Sequence, residues 1–195
     1  MNDGIASKLP QRADKPSLAL PHNIPGMSGQ RFKPSVTVAV VAHDDHAPPR
    51  WLLVEEHTPV GLRLNNPAGH LEQGETPLQA VVREALEETA CAFEPEALLG
   101  LYLARFQRPA TGEDITYLRL AYLGRVGPPE PGRALDEGIV RTLWMTLPEI
   151  EVAAAAGRLR SPMVLQCVRD ALAGRRLPLD AVQADGSLLQ PWQQT

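Results

Sequence analysis

Gly69-His70-Leu71-Glu72-Gln73-Gly74-Glu75-Thr76-Pro77-Leu78-Gln79-Ala80-Val81-Val82-Arg83-Glu84-Ala85-Leu86-Glu87-Glu88-Thr89-Ala90-Cys91 reads as a turn that runs directly into a helix. Thr76 as N-cap, Pro77 at the first helical position and Gln79 three residues after the cap predict that the helix starts there. Leu78, Val81, Val82, Ala85 and Leu86 recur with helical spacing and predict one core-facing stripe. Glu84, Glu87 and Glu88, at offsets of three and four, crowd on another side. Each such pair costs about 0.2–0.5 kcal/mol, and anions in a last turn oppose the helix dipole by about 0.3–1 kcal/mol more. Together that is on the order of 1–3 kcal/mol against the helix.

A solvated acidic face, with Arg83 offsetting Glu87 one turn on, is the plain explanation for such a helix. A hard divalent cation is the sharper one, because it removes the repulsion outright. Mg²⁺ prefers carboxylate oxygens, keeps several waters and completes its octahedron with substrate phosphates. The preceding turn, from Asn66-Pro67-Ala68-Gly69 to Gly74-Glu75, has glycines where the backbone can bend and present carbonyls.

Gly69, Glu75 and Arg83-Glu84-Ala85-Leu86-Glu87-Glu88-Thr89-Ala90-Cys91 keep the spacing G-x5-E-x7-R-E-U-x-E-E-x-G-U, where U is a bulky apolar residue. The stretch therefore resembles the Nudix box, with every charged position matched. Ala90 stands where the family has Gly, and Ala85 and Cys91 are small for their positions. Gly there serves the helix exit, so Ala90 bears on the local cap geometry and removes no chemical group. Shorter runs are similar to the NudJ-type subgroup of bacterial phosphatases: Phe32-Lys33-Pro34, Val54-Glu55-Glu56, Asn66 to Glu72, Leu118-Arg119 and Leu159-Arg160-Ser161-Pro162.

The resemblance implies an α/β (α+β) fold, the Nudix α/β/α sandwich with a mixed β-sheet between helices. It also implies Mg²⁺, with Mn²⁺ as an alternative, held by Glu84, Glu87 and Glu88 and a backbone carbonyl of Ala68 or Gly69. Glu84 is also a candidate base. Glu137, in a later loop, is a candidate base or ligand, or else an ordinary loop acid. Arg83 is expected to orient the carboxylates, since its fork suits bidentate pairing, and Glu75 to support it or simply cap the first turn. Arg119 and Arg63 are the candidate substrate-binding cations. Period-two alternation places Arg119 on one face with Tyr117 and Ala121, where a charge needs a phosphate, an internal carboxylate or solvent. Arg63 otherwise sits in a solvated loop. His57 and His70 read as turn or surface histidines, and Cys91 and Cys167 as core filling.

Outward from the box, residues 1–34 carry five prolines and no sustained period, and read as a flexible leader; Met27 is an alternative start. Val36–Ala42 predicts a buried strand with Trp51–Glu56 as its hairpin partner. Leu98–Phe106 and Ile115–Val126 predict a second hairpin, and Leu143–Met145 a short late strand. Helices are expected after Thr146, stopping at Gly157, and from Ser161-Pro162 to Gly174. The expected domain spans 35–180, followed by a tail over 181–195.

Composition excludes other classes. With 44% apolar and 22% charged residues in 195, the chain suits one globular core. A net charge of −4 argues against a nucleic-acid polymer as partner and for a small phosphoanhydride substrate. Two cysteines, no apolar run long enough for a span and no signal sequence predict a cytoplasmic protein off the membrane, and the sequence leaves monomer and homodimer open. The activity that the NudJ-type resemblance implies is hydrolysis of nucleoside tri- and diphosphates and of hydroxymethylpyrimidine diphosphate, with release of orthophosphate. The rivals are a Nudix pyrophosphohydrolase for oxidised nucleotides or ADP-ribose, and a non-catalytic nucleotide-binding Nudix module.

Overall fold

The computed structural model of the chain describes residues 33–108 and 112–190. The proline-rich segment before Lys33, Met27 within it and the last five residues of the expected tail lie outside them. Among the described residues seven strands and three α-helices form two sheets. The strands are β1 (Ser35–Ala42), β2 (Arg50–Thr58), β3 (Gly61–Asn65), β4 (Ala68–His70), β5 (Cys91–Arg108), β6 (Glu113–Pro129) and β7 (Ile139–Thr146). The helices are α1 (Pro77–Thr89), α2 (Leu147–Ala155) and α3 (Pro162–Leu172).

The four-stranded sheet has the order β4-β1-β6-β5 and is mixed, because β1 runs parallel to β6 while β4 and β5 are antiparallel to their neighbours. Both faces of its centre are buried, as the unbroken apolar run of β1 requires. Val38, Val40, Leu120 and Tyr122 pack with Ala80, Val81 and Ala85 of α1. Ala39, Val41, Ala121 and Leu123 pack with Trp51 and Leu53 of β2 and with Ile150, Val164 and Cys167 of α2 and α3. The result is the helix–sheet–helix layering expected, with the second sheet, β3-β2-β7, sharing the α2/α3 side.

Two readings of the sequence are corrected. Trp51–Glu56 is a strand but not the hairpin partner of β1; it pairs with β3 and β7, and only an isolated His43–Trp51 bridge joins it to the end of β1. The flanks of β1 are already taken by β4 and β6, so β2 must found another sheet. The stripe on α1 is also shifted. Ala80, Val81, Glu84, Ala85 and Thr89 are the buried residues, whereas Val82 is 37% exposed and lines an open recess with Leu86 and Arg133. This rotation takes Glu84 under cover.

The cap reading holds. Thr76 Oγ1 accepts from Gln79 N–H at 3.2 Å and Gln79 Oε1 from Thr76 N–H at 2.8 Å. The β5–β6 hairpin forms and is longer than expected, and β7 extends the late strand. Glu149 accepts from the Thr146 N–H and hydroxyl, both at 2.7 Å, where α2 begins.

Ala90 ends α1 at φ +58°, a left-handed conformation that costs a residue with a Cβ about 1–2 kcal/mol. Glycine would relieve this, but loosens the unfolded chain by about 0.4–1 kcal/mol and removes a buried methyl worth about 0.8 kcal/mol. Ala90→Gly is therefore expected to move stability by less than about 1 kcal/mol, and Ala90→Val, β-branched at positive φ, to lose about 2 kcal/mol or more. Urea unfolding midpoints of the two variants check this; equal midpoints would contradict it.

Candidate active site

Arg83 organises the acidic end of α1. Its Nε and Nη2 donate to the two oxygens of Glu75 at 3.0 and 2.8 Å, and its Nη1 donates to Glu84 Oε1 at 2.7 Å and Glu87 Oε2 at 2.8 Å. Nη2 also reaches the His70 carbonyl at 3.1 Å. One guanidinium thus ties the helix to the turn before it and offsets two of the three clustered carboxylates.

Glu88 lies apart from this fork and accepts from the Ala68 N–H at 2.9 Å. Burial is the largest influence on its carboxyl and, with the charges of Glu84, Glu56 and Asp136, pushes its pKa up to about 8 against the pull of the Ala68 N–H. Burial also raises Glu84, opposed by Arg83 and reinforced by Glu87 and Asp136. Two carboxylates held this way gain most from an added positive charge.

Gly69 explains how Glu84 can lie where it does. A Cβ built at Gly69 would fall 2.0 Å from Glu84 Oε1 and 2.2 Å from its Cδ, so the carboxylate rests against bare backbone. Hard carboxylate oxygens beside the Ala68–Gly69 peptide form a donor set suited to Mg²⁺ rather than to a softer ion. Among the described residues no three acidic, His or Cys side chains stand together at metal-ligand spacing. Arg83 occupies oxygens of Glu84 and Glu87, so an ion held here would draw few ligands from the protein and keep much of its water shell.

Opposite this cluster the sheet supplies cations. Thr37 and Arg119 are register partners on β1 and β6, on the face that carries Ala39 and Ala121 toward α3, as alternation predicted. Arg119 Nη1 is shut off from solvent without a hydrogen-bond partner, and so is the Thr37 hydroxyl. Burial lowers the Arg119 pKa, while Cys167, Glu56 and Glu88 act in the other direction. Glu56 Oε1 is likewise buried without a hydrogen bond, 3.8 Å from Arg160 Nε. Arg63 lies across from Glu56 on β3, and its Nη1 donates to the Leu62 carbonyl at 2.8 Å.

Glu137 is exposed on the β6–β7 loop, and its neighbour Asp136 is the residue whose charge acts on Glu84 and Glu88. The reason lies in the end of α1. No basic residue caps its last turn, and the loop supplies donors instead: Asp136 N–H to the Glu87 carbonyl at 3.0 Å and Glu130 N–H to the Ala90 carbonyl at 2.8 Å. Sequence reasoning missed Asp136, Thr37 and Glu56 as site residues. Only Glu56 had a visible signal, as a second consecutive glutamate closing an apolar strand. Cys91 and Cys167 are free and buried, and burial pushes the Cys167 thiol up to about 11, away from reactivity.

A box of acidic residues on a helix, lodged against a glycine turn at one edge of an α/β/α sandwich, defines a class of phosphohydrolase. Residues 33–166 match the NUDIX domain, and the chain belongs to that family. It is 34% identical to Phosphatase NudJ of Escherichia coli (strain K12) over 151 residues, which is 77% of this chain and 92% of that protein. Phosphatase NudJ of Shigella flexneri matches equally. Among solved structures, a NUDIX hydrolase from Nitrosomonas europaea is 44% identical, with TM-score 0.68, over 78% of this chain and 98% of the other. The MutT protein from Methanosarcina mazei Go1 shares the fold at 16% identity and TM-score 0.55, over 75% and 100% of the two chains. The chain is a Nudix phosphohydrolase, and no helix among its described residues is long and apolar enough to cross a membrane.

Two outcomes are expected. In Gly69→Ala the flexible end of Glu84 gives way before the backbone does, so turnover should fall on the order of 10²-fold while the melting temperature changes little. Unchanged turnover would show that the close approach is dispensable. The second concerns pH. Between its ordinary 4.5 and about 8, Glu88 holds its proton in the folded chain and loses it in the unfolded one, so its contribution to stability declines as pH rises through that window. In chelator, the melting temperature of Glu88→Gln relative to the parent should therefore climb from pH 5 to pH 8; a flat difference would contradict the burial argument.

Proposed function

We propose that this enzyme is a Mg²⁺-dependent phosphatase that removes the terminal phosphate of nucleoside tri- and diphosphates and of small-alcohol diphosphates such as hydroxymethylpyrimidine diphosphate, releasing orthophosphate. The observation that carries the reading is Arg119: a buried guanidinium with an unpaired Nη1, beside the orphaned Thr37 hydroxyl and within electrostatic reach of Glu88. A terminal phosphoryl group offers the acceptors both lack, with more charge and more free oxygens than a phosphate esterified on both sides. The name of the Escherichia coli relative, a phosphatase, supports the same outcome.

Glu84 and Glu88, with Glu87 and a carbonyl of Ala68 or Gly69, would hold Mg²⁺ or, in its place, Mn²⁺. Once bound, the ion offsets phosphate charge and acidifies a water. Arg83 keeps Glu84 and Glu87 pointed inward, and Glu75 keeps Arg83 in place. Glu84, whose affinity for a proton is raised by burial, is suited to take the proton of the attacking water. Glu137 is the loop acid that would serve as base or further ligand, and Asp136 beside it shares that part, since its charge bears on both buried carboxylates. Arg63 and Arg160 border the cation side through Glu56. Free, buried thiols suit a reducing compartment, in keeping with a cytoplasmic enzyme.

Hydrolysis of a nucleoside triphosphate in ¹⁸O-labelled water tests the phosphorus attacked. Label in orthophosphate is expected. Pyrophosphate accompanied by labelled nucleoside monophosphate would overturn the phosphatase reading and leave the Nudix assignment intact.

A further inference from the structure

His70 and Tyr117 belong to strands that are not neighbours. β1 runs between β4 and β6, so their backbones stand roughly 9.5 Å apart, yet their ring centroids are 6.3 Å apart at an interplanar angle of 49°. The rings lean toward each other over Ser35 and Thr37, whose register partners are Tyr117 and His70. Neither ring belongs to either hydrophobic core, and among the described residues neither side chain makes a hydrogen bond. Tyr117 is half-buried and His70 exposed, which leaves ring surface open to a ligand.

Their position relates them to the phosphate end. Tyr117 precedes Arg119 by two residues on one strand, hence on the same face and about 7 Å away. His70 shares its side of the sheet with Thr37, and its carbonyl is fixed by Arg83. The pair is therefore mounted on the same frame as the acidic cluster, with Tyr117 on the strand and face that also carry Arg119 and its orphaned Nη1.

We propose that the His70 and Tyr117 rings form the wall against which the organic part of the substrate stacks, so that the enzyme favours diphosphates carrying a heteroaromatic ring on a short linker over alkyl diphosphates. This rests on the reading that the terminal phosphate is held at Arg119. Stacking on an aromatic side chain is tolerant of ring identity, because every heterocycle has a π-face, so the wall selects a class of compound rather than one base.

The test uses two non-hydrolysable esters of methylenebisphosphonate, one pyrimidinylmethyl and one n-hexyl, titrated calorimetrically into the full chain with Mg²⁺. The parent is expected to bind the pyrimidinylmethyl ester about tenfold more tightly than the hexyl ester. Tyr117→Leu should bring that ratio close to one, and Tyr117→Phe should keep it. A ratio near one in the parent, or a ratio that survives Tyr117→Leu, overturns the stacking wall while the phosphatase reading stands. Binding of neither ester would remove the phosphate reading, and the wall with it. Melting temperatures of both variants separate this from a purely structural ring contact, which would lower stability without altering the ratio.

Discussion

Arg83 carries five hydrogen bonds from a single guanidinium, and they reach Glu75, Glu84, Glu87 and the His70 carbonyl. A helix that crowds three carboxylates near its C-terminal end works against its own dipole and against itself. The fork offsets two of the three and, by grasping Glu75 and His70, clamps the turn onto the helix. Because the turn is clamped, Gly69 lies against Glu84 and Ala68 presents its N–H to Glu88. The remaining imbalance is a buried carboxyl, Glu88, whose pKa is pushed up to about 8.

The sandwich supplies the opposite sign. β1 and β6 are buried on both faces at the centre of the sheet, so a charged residue in β6 is accommodated where the strand leaves that centre. Arg119 stands there, two residues before Ala121 enters the core beside α3. Fold and chemistry meet in that register: moving β6 by one residue against β1 would turn Arg119 toward the α1 face and Leu120 toward the α2/α3 face.

What was legible in the sequence was local. The Thr76–Gln79 cap, the acidic offsets on α1 and the alternation around Arg119 depend on residues close together in the chain, and each is found as read. The pairing of β1 with Trp51–Glu56 was misjudged because adjacency in sequence favours a hairpin, and nothing nearby revealed that β4 and β6 would occupy both flanks of β1. Val82 was assigned inward because periodicity gives the width of an apolar stripe but not how the helix is turned against its sheet. Asp136 was invisible for a similar reason: its place follows from backbone donors meeting unpaired carbonyls at the end of α1, a contact between distant segments that carries no side-chain signature. Thr37, one hydroxyl in a β-branched strand, could be recognised only once Arg119 lay beside it.

Both sheets have an outer strand closed by a stub of chain from the helical half. Leu64 on β3 exchanges hydrogen bonds with Arg158 and Arg160, both at 2.8 Å, and Leu98 on β5 exchanges two with Leu177, at 3.0 and 2.8 Å. An open strand border is a template on which a like chain can add itself, and repetition of that event yields fibres and precipitates. Here each border is occupied, at one point, by a piece of the same molecule. The stubs act as stoppers against self-templated growth at those two points, and charged residues such as Arg63 on β3 and Glu94 and Arg105 on β5 add to the obstacle.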